Sequence, residues 1–207
     1  MKKCLIILKN LQNEERINYQ DYDCFIGVEL GASFLLKKNN LKNRHYISDF
    51  DSINKNDFLK IKEEENTIFL NKIREFVDTE EAIKYAQSLG YFKDKIVIFL
   101  NEDLGRKDHL FNVFNLARKY QVLIYGNKFK ITAVPENEYK VIKKDFYKYL
   151  SIFLFEKTFI DTKGLKWNLS WKEFNLDEAT NLISNEIIKN ECKIKTSKLS
   201  LVVQAND

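Results

Sequence analysis

The sequence predicts an α/β protein in which an N-terminal, Rossmann-like open sheet of mostly parallel strands is followed by a C-terminal β-sandwich. Up to about residue 121, short apolar runs alternate with helical patterns, which is typical of parallel strands covered by helices. Beyond that point helical periodicity is weak and short β-rich runs follow one another, as in a sandwich. We therefore predict an α/β domain over residues 1–121 and a β-sandwich domain over residues 122–207.

The first domain is predicted element by element from its apolar runs. Strands are expected at 4–8, 24–28, 45–47, 67–70, 95–100 and 122–125. Helices are expected at 32–38, 57–64, 79–89 and 108–120. The third helix has the clearest ends, because Asp78 is a predicted N-cap, Glu81 completes a capping box and Gly90 follows the last turn.

The second domain is predicted to be almost entirely β. Strands are expected at 129–134, 149–155, 158–160, 165–169, 183–188, 192–195 and 199–203. A single helical turn is expected around residues 139–146.

The composition is that of an ordinary globular protein. The chain has 207 residues, of which 44% are hydrophobic and 31% charged, and its net charge is +4. This charge is too small for a nucleic-acid binder but suits anionic small substrates. Three widely spaced cysteines indicate reduced thiols, and no stretch is long enough to span a membrane, so we predict a cytoplasmic location.

Acidic residues follow several of the predicted strands. Asp49 and Asp51 come directly after the third strand and, at a period of two, are expected on the same side of the chain. Glu29 follows the second strand, Asp78 the fourth and Asp108 the fifth. Carboxyl ends of parallel strands share one edge of a sheet, so this pattern indicates a site for Mg²⁺ and phosphate. The alternative for the 49–51 pair alone is a loop aspartate that caps the next helix.

The segment 104–109 is the best candidate for contacting phosphate, since the chain has neither a P-loop nor a dinucleotide-binding motif. Gly105 allows close backbone approach and Arg106 offers a fork of donors, while Asp108 and His109 open a helix. The alternative is a solvated turn with a helix cap.

Taken together, these stretches resemble the thiamine pyrophosphokinase family, whose members carry DGGAN, GDFDS, KDxTD, GGRxDH, GLKWxL and SN in this order. The corresponding stretches here are ELGAS at 29–33, SDFDS at 48–52, REFVDTE at 74–80, LGRKDH at 104–109, GLKWNL at 164–169 and SN at 184–185. The chain departs from the family pattern where Glu29 replaces aspartate, Ser33 replaces asparagine, and Leu30, Ser48 and Leu104 replace glycine.

The resemblance implies an N-terminal domain that carries ATP and Mg²⁺, a β-sandwich that binds thiamine, and a homodimer. It implies transfer of a diphosphate from ATP to the hydroxyl of thiamine, with release of AMP. The implied catalytic residues are Asp49, Asp51, Asp78, Arg106 and Asp108, of which the first three would hold the metal, with Asp51 and Asp78 as candidates for a general base. The implied nucleotide-binding residues are Glu29, Ser52, Thr79, Gly105, Arg106 and His109.

Thiamine has an aromatic pyrimidine and a cationic thiazolium, which both favour an aromatic partner. The resemblance implies Trp167, Ser184 and Asn185 for this role, and the alternative for Trp167 is a place in the sandwich core. Two further functions stay open: a diphosphokinase with another donor or acceptor, and a non-catalytic protein that binds thiamine or nucleotide.

Overall fold

The computed structural model describes residues 2–9, 17–71, 77–100, 107–144, 147–177 and 182–206. The chain divides into two compact units. Unit 1 comprises Met1–Asn112 and Val122–Asn127, and unit 2 comprises Val113–Gln121 and Lys128–Asp207.

Unit 1 is built on a row of parallel strands. Its strands are β1 (Lys3–Ile7), β2 (Tyr22–Gly27), β3 (Arg44–Ser48), β4 (Thr67–Phe69), β5 (Ile96–Phe99) and β6 (Leu123–Tyr125), in the spatial order β6-β5-β1-β2-β3-β4. Every pairing between these strands is parallel. Four of these strands, β1, β2, β3 and β5, are mostly buried apolar runs, as expected of a parallel sheet with helices on both faces, whereas the edge strand β4 is partly exposed.

Four helices accompany these strands: α1 (Leu30–Leu36), α2 (Lys55–Lys62), α3 (Asp78–Ser88) and α4 (Lys107–Tyr120), besides short 3-10 turns at Tyr19–Asp21 and Lys93–Lys95. Leu35 of α1 and Ile61 of α2 share a core cluster with Tyr46 of β3. The preceding residue of β3, His45, points to the opposite face and contacts Tyr85 of α3, with 3.0 Å between the Tyr85 hydroxyl and His45 Nδ1. The sheet is therefore covered on both faces.

The start of α3 differs from the prediction. Val77, not Asp78, is the N-cap, and no side chain caps this end, so the predicted capping box is wrong. The reason is that the Asp78 side chain accepts a hydrogen bond from Ser48 instead. The end of the helix is as expected: Gly90 has φ +91°, and the amide of Tyr91 donates to the Ala86 carbonyl at 3.1 Å.

Two glycines allow α1 to lie directly on the strands. A Cβ added at Gly31 would overlap the carbonyl oxygen of Ile7 in β1, and one added at Gly27 would lie 2.6 Å from the Cα of Ala32. Only glycine permits backbones to approach this closely. The position of Glu29, which lies between these glycines, is therefore fixed by backbone packing.

Unit 2 contains two rows of antiparallel strands and the second half of α4. One row has the order β12-β9-β14-β7 and the other β11-β10-β13-β8. The strands are β7 (Phe129–Val134), β8 (Tyr139–Lys143), β9 (Tyr149–Phe153), β10 (Thr158–Lys163), β11 (Lys172–Phe174), β12 (Asn185–Glu186), β13 (Glu191–Thr196) and β14 (Ser200–Ala205).

Both rows contribute side chains to one hydrophobic cluster. Leu150 and Ile152 of β9 and Val202 of β14 meet Ile160 of β10 and Ile194 of β13. Two antiparallel layers that share a core in this way match the predicted second, β-rich region.

The structure corrects several predicted elements of unit 2. Residues 139–143 form strand β8 and not a helical turn, because Ile142 is buried while Tyr139 and Val141 are exposed, an alternation with a period of two. The predicted strand at 165–169 is absent; in this stretch only Leu165 makes a β-bridge, with Ile187. Strand β11 was not predicted.

The three cysteines are buried and free, with Cys4 Sγ 3.5 Å from Cys24 Sγ on the neighbouring strand. None of the helices in the described part of the chain has the length and apolar character that crossing a bilayer requires.

Candidate active site

Three carboxylates meet at the carboxyl ends of the parallel strands in unit 1. Glu29 follows β2, Asp49 follows β3 and Asp78 opens α3 after β4. One oxygen of each can be chosen so that all three lie within 4.8 Å of one another. We call Glu29, Asp49 and Asp78 the carboxylate group; within the described ranges it is the cluster of acidic, histidine and cysteine side chains that could hold a metal ion.

Ser48, the last residue of β3, links two members of this group. Its buried hydroxyl contacts Glu29 Oε1 and donates to Asp78 Oδ2 at 2.6 Å. A hydroxyl has one hydrogen, so it can donate to only one of the two carboxylates at a time. The acceptors around Ser48 therefore outnumber the hydrogens that it supplies.

Burial and the crowding of negative charge in this arrangement change the pKa of Glu29. Its burial, together with the nearby charges of Asp49 and Asp51, raises the pKa of the Glu29 carboxyl to about 7. Its backbone has φ +51°, a region that residues with a side chain rarely adopt. Unfavourable backbone and electrostatic energies at one residue are typical of functional sites.

Asp51 lies outside the carboxylate group. Strand β3 ends at Ser48, and Phe50 has φ +56°, so the period of two that predicts Asp49 and Asp51 on one side does not extend past the strand. Asp51 is exposed; its backbone amide donates to Asp49 Oδ1 at 3.4 Å, and its side chain accepts from the Ser52 hydroxyl at 3.0 Å. It therefore borders the group without being a member of it.

The donor set of the carboxylate group fits Mg²⁺, which prefers carboxylate oxygens and is commonly bound by one or two of them together with substrate phosphates. Oε2 of Glu29 is buried and has no hydrogen-bond partner among the described residues. A buried acceptor of this kind is stabilised when a cation binds beside it.

Two of the other residues predicted for this site open helices. Thr79 is in the first turn of α3, and Asp108, which is exposed, is in the first turn of α4. Gly105 and Arg106 lie outside the described residues, as does the side chain of His109.

A cavity of about 240 Å³ lies within unit 2. Its walls are mostly apolar and include Leu150, Leu165, Leu169 and Phe174. Trp167 and Asn185 line it as well, and Lys172 contributes a charge. An apolar cavity with a few polar groups is the usual form of a site for a small organic ligand.

Asn185 holds the backbone of Trp167 on both sides. The Trp167 amide donates to Asn185 Oδ1 at 3.2 Å, and Asn185 Nδ2 donates to the Trp167 carbonyl at 2.8 Å. The Trp167 ring is 56% exposed, so it is not part of the sandwich core. Ser184 has φ +59°, and its amide donates to the Ser151 hydroxyl at 3.1 Å. The structure thus brings together two of the three residues predicted for thiamine, with Ser184 beside them in sequence.

Two family models match the chain. The thiamin pyrophosphokinase catalytic domain matches residues 17–131, and the thiamin pyrophosphokinase vitamin B1 binding domain matches residues 138–201. The chain belongs to the thiamin pyrophosphokinase family. The predicted family and the predicted function, thiamine diphosphokinase, are therefore confirmed.

Solved structures of thiamin pyrophosphokinases have the same fold. The family protein from Enterococcus faecalis is 19% identical with a TM-score of 0.83, and the enzyme from Bacillus subtilis is 22% identical with a TM-score of 0.78; in both cases all of each chain is covered. Thiamin pyrophosphokinase from Candida albicans is 13% identical with a TM-score of 0.75, over 99% of this chain and 90% of that one. No curated protein matches the sequence.

Sequence reasoning overlooked one residue of the site. Ser48 was noted only as a departure from the family glycine, yet its hydroxyl contacts both Glu29 and Asp78. The available signal was its position as the last residue before the acidic pair, at the carboxyl end of a buried strand.

Proposed function

We propose that this thiamin pyrophosphokinase uses ATP as the donor and requires Mg²⁺, so that thiamine and ATP become thiamine diphosphate and AMP. The observation that carries the proposal is the carboxylate group, with its oxygens within 4.8 Å, inside the stretch matched by the catalytic-domain model. The ATP donor is what membership of the family implies.

We propose Glu29, Asp49 and Asp78 as the residues that would hold Mg²⁺. The sequence assigned this role to Asp49, Asp51 and Asp78, and the geometry favours Glu29 in place of Asp51. When bound, Mg²⁺ supplies positive charge that neutralises phosphate oxygens. Ser48 would position Glu29 and Asp78, because its hydroxyl contacts both carboxylates.

The reaction needs an acceptor for one proton. The hydroxyl oxygen of thiamine attacks the β-phosphorus, the bond from that phosphorus to the oxygen bridging the α-phosphate breaks, and AMP leaves. The hydroxyl proton is lost as the new P–O bond forms. We propose Asp51 as the base, because it borders the carboxylate group and is not a member of it, so its charge stays available for the proton.

Further residues would contact the donor on the strength of the family pattern. Arg106, with the Gly105 backbone and His109, would bind phosphate oxygens. Ser52 donates to Asp51, Thr79 follows Asp78 in α3, and Asp108 lies in the first turn of α4. We propose these three as contacts of the nucleotide or as partners of the metal's water ligands.

The cavity of unit 2 supports the thiamine site. It lies in the stretch matched by the vitamin B1 binding model, and Trp167 exposes its ring there. An indole face attracts both a flat pyrimidine and a cationic ring. We therefore propose Trp167 as the stacking partner, with Asn185 fixing its backbone and Ser184, the preceding residue, as a further contact of thiamine.

Three further features remain proposals on the resemblance: a homodimer, a cytoplasmic location, and the division into a catalytic domain at 1–121 and a thiamine-binding domain at 122–207. The parallel order of unit 1, with the acids at the carboxyl ends, supports its description as Rossmann-like. Sedimentation at micromolar concentration tests the dimer, and a strict monomer would contradict it.

The test of the function is one assay with purified protein, thiamine, ATP and Mg²⁺. We expect thiamine diphosphate and AMP in equal amounts, and no turnover when Mg²⁺ is chelated. ADP without thiamine diphosphate would indicate a phosphohydrolase or a monophosphate kinase. No product, with thiamine still raising the melting temperature, would mean that the chain binds thiamine without acting on it.

A further inference from the structure

An exposed aromatic ring borders the carboxylate group. Phe69 is the last residue of β4 and stands in register with Ser48 of β3, and the amide of Leu70 donates to the Ser48 carbonyl at 2.9 Å. Neighbouring residues of parallel strands project to the same face of the sheet, so Phe69 lies beside the serine that contacts Glu29 and Asp78. About half of its surface, 49%, is exposed.

Two other rings hold Phe69 in place. Phe50 contacts it edge-on, with centroids 5.4 Å apart and planes at 74°, and Phe58 of α2 does the same at 6.0 Å and 72°. Phe50 is 4% exposed and has φ +56°, a conformation that is unfavourable for a bulky residue. The turn that carries Asp49 thus also places a buried ring against Phe69.

The geometry points to Phe69 as a stacking platform for the purine base of the nucleotide donor. This inference rests on the proposed function, in which the donor's phosphates lie at the carboxylate group. A nucleotide bound there directs its base to one side of the acids. On the side of Phe69, the exposed ring would exclude water from one face of the base. Base stacking on an aromatic side chain does not depend on hydrogen bonds to the base, so Phe69 would favour purines over pyrimidines by ring size.

The test compares ligands with and without a base. Calorimetric titrations in Mg²⁺ use ATP, GTP, CTP and inorganic triphosphate against the wild type and Phe69→Ala. We expect Phe69→Ala to weaken ATP and GTP binding about tenfold, to weaken CTP binding less, and to leave triphosphate binding unchanged. Phe69→Trp should retain ATP affinity, whereas Phe69→Leu, which is apolar but lacks a ring, should not.

Phe92→Ala is the matched control, since Phe92 is 55% exposed and precedes β5 at the amino ends of the strands. It should leave all affinities unchanged. Equal loss of ATP and triphosphate binding in Phe69→Ala, an unchanged ATP affinity, or an effect on the KM of thiamine alone would overturn the inference. The titrations measure binding and require no turnover. A wild type that binds ATP but forms no thiamine diphosphate would therefore refute the proposed function, and the titrations would still test the role of Phe69.

Discussion

The carboxylate group of unit 1 and the cavity of unit 2 are built on opposite physical principles. The first places one oxygen of each of three acids within 4.8 Å of the others, with Glu29 and Phe50, the residue after Asp49, in unfavourable backbone conformations. The second is a mostly apolar cavity in which one exposed indole is held by two hydrogen bonds to a single asparagine. Repulsion between the three acids lowers the free energy of unfolding. The cavity brings no like charges together and has no such penalty.

This difference indicates what each region is for. Like charges held together are stabilised by a cation beside them, so the carboxylate group gains free energy by binding one. An apolar cavity with an exposed ring gains by removing a flat organic ligand from water. Substitutions in the two regions should therefore affect separate measurements.

The largest effect is expected from Asp49→Asn, which removes a charge from the carboxylate group. We expect kcat to fall by about 10³-fold, because charge stabilisation of the phosphates is lost. Thiamine binding, measured by calorimetry, should not change. Asp177→Asn, an exposed acid in unit 2, should behave as the wild type. A substantial loss of thiamine affinity in Asp49→Asn would break the separation between the two regions.

Asp51→Asn tests whether Asp51, which lies next to the carboxylate group, has a different role from its member Asp49. If Asp51 accepts the hydroxyl proton, kcat should fall by about 10²-fold or more while the stabilisation by Mg²⁺ is retained. Asp49→Asn should lose both the activity and the stabilisation by Mg²⁺. Thermal unfolding with and without Mg²⁺ distinguishes the two variants. Loss of the Mg²⁺ response in Asp51→Asn would restore the assignment of the metal to Asp49, Asp51 and Asp78.

Trp167→Ala is the corresponding change in the cavity. The KM for thiamine should rise about tenfold or more, since a ring-stacking contact is removed, with kcat and the KM for ATP nearly unchanged. Trp171→Ala is the control, because Trp171 stacks on Phe159 at 5.9 Å and does not line the cavity. An equal rise in both variants would show that the effect comes from general loosening of unit 2.

Glu29→Gln tests whether repulsion within the carboxylate group lowers the stability of the metal-free protein. Without Mg²⁺ and above pH 7, where the Glu29 carboxyl with its pKa of about 7 is mostly ionised, its melting temperature should exceed that of the wild type, because one of three neighbouring charges is gone. Saturating Mg²⁺ should raise the wild-type melting temperature by about 5 °C and that of Glu29→Gln by much less. Glu65→Gln, an exposed acid, should respond to Mg²⁺ as the wild type does. A metal-free Glu29→Gln protein that melts below the wild type would contradict the repulsion.

The smallest effect concerns the contact between Ser48 and Glu29, both of which depart from the family pattern. We expect Ser48→Ala and Glu29→Asp each to lower kcat/KM, and the double variant to lose less than the product of the two effects, with a coupling of about 1 kcal/mol. Ser88→Ala, which removes a hydroxyl bonded to the Tyr85 carbonyl, is the control. Strict additivity would mean that the two residues act independently.

The parallel strands were predictable because burial on both faces leaves a plain apolar signal. The expected strand at 24–28 corresponds to Tyr22–Gly27 and the one at 95–100 to Ile96–Phe99. The short strand Lys172–Phe174 gave no such signal, because two of its three residues are charged. Residues 139–143 were misread because lysine and glutamate near Tyr139 favour helix locally, whereas pairing with β13 decides the outcome.

The site was predictable in its location and less so in its membership. Acids after successive parallel strands must converge on one edge, so Asp49 and Asp78 were expected together. The resemblance assigns Asp51 to the metal, and a period of two would place it on the side of Asp49, but Phe50 leaves the strand region of the backbone between them. The spacing of Glu29 also places it at this edge, whereas its closeness to Asp49 and Asp78 depends on how closely Gly31 allows α1 to approach Ile7.

The support that Asn185 gives to Trp167 has an optical consequence. The chain has two tryptophans, and the second, Trp171, lies on Phe159 with Lys195 5.3 Å from its ring. Trp167 is held at its backbone, Lys166 Nζ lies 4.7 Å from its ring centroid, and about half of the residue is exposed. Its fluorescence should therefore report a ligand that covers the ring, against a nearly constant signal from Trp171, which does not line the cavity. In the Trp171→Phe variant, the fluorescence of Trp167 alone would then report occupancy of the cavity. It would do so without a label or a coupled enzyme, and rapid mixing would give the rate of ligand binding.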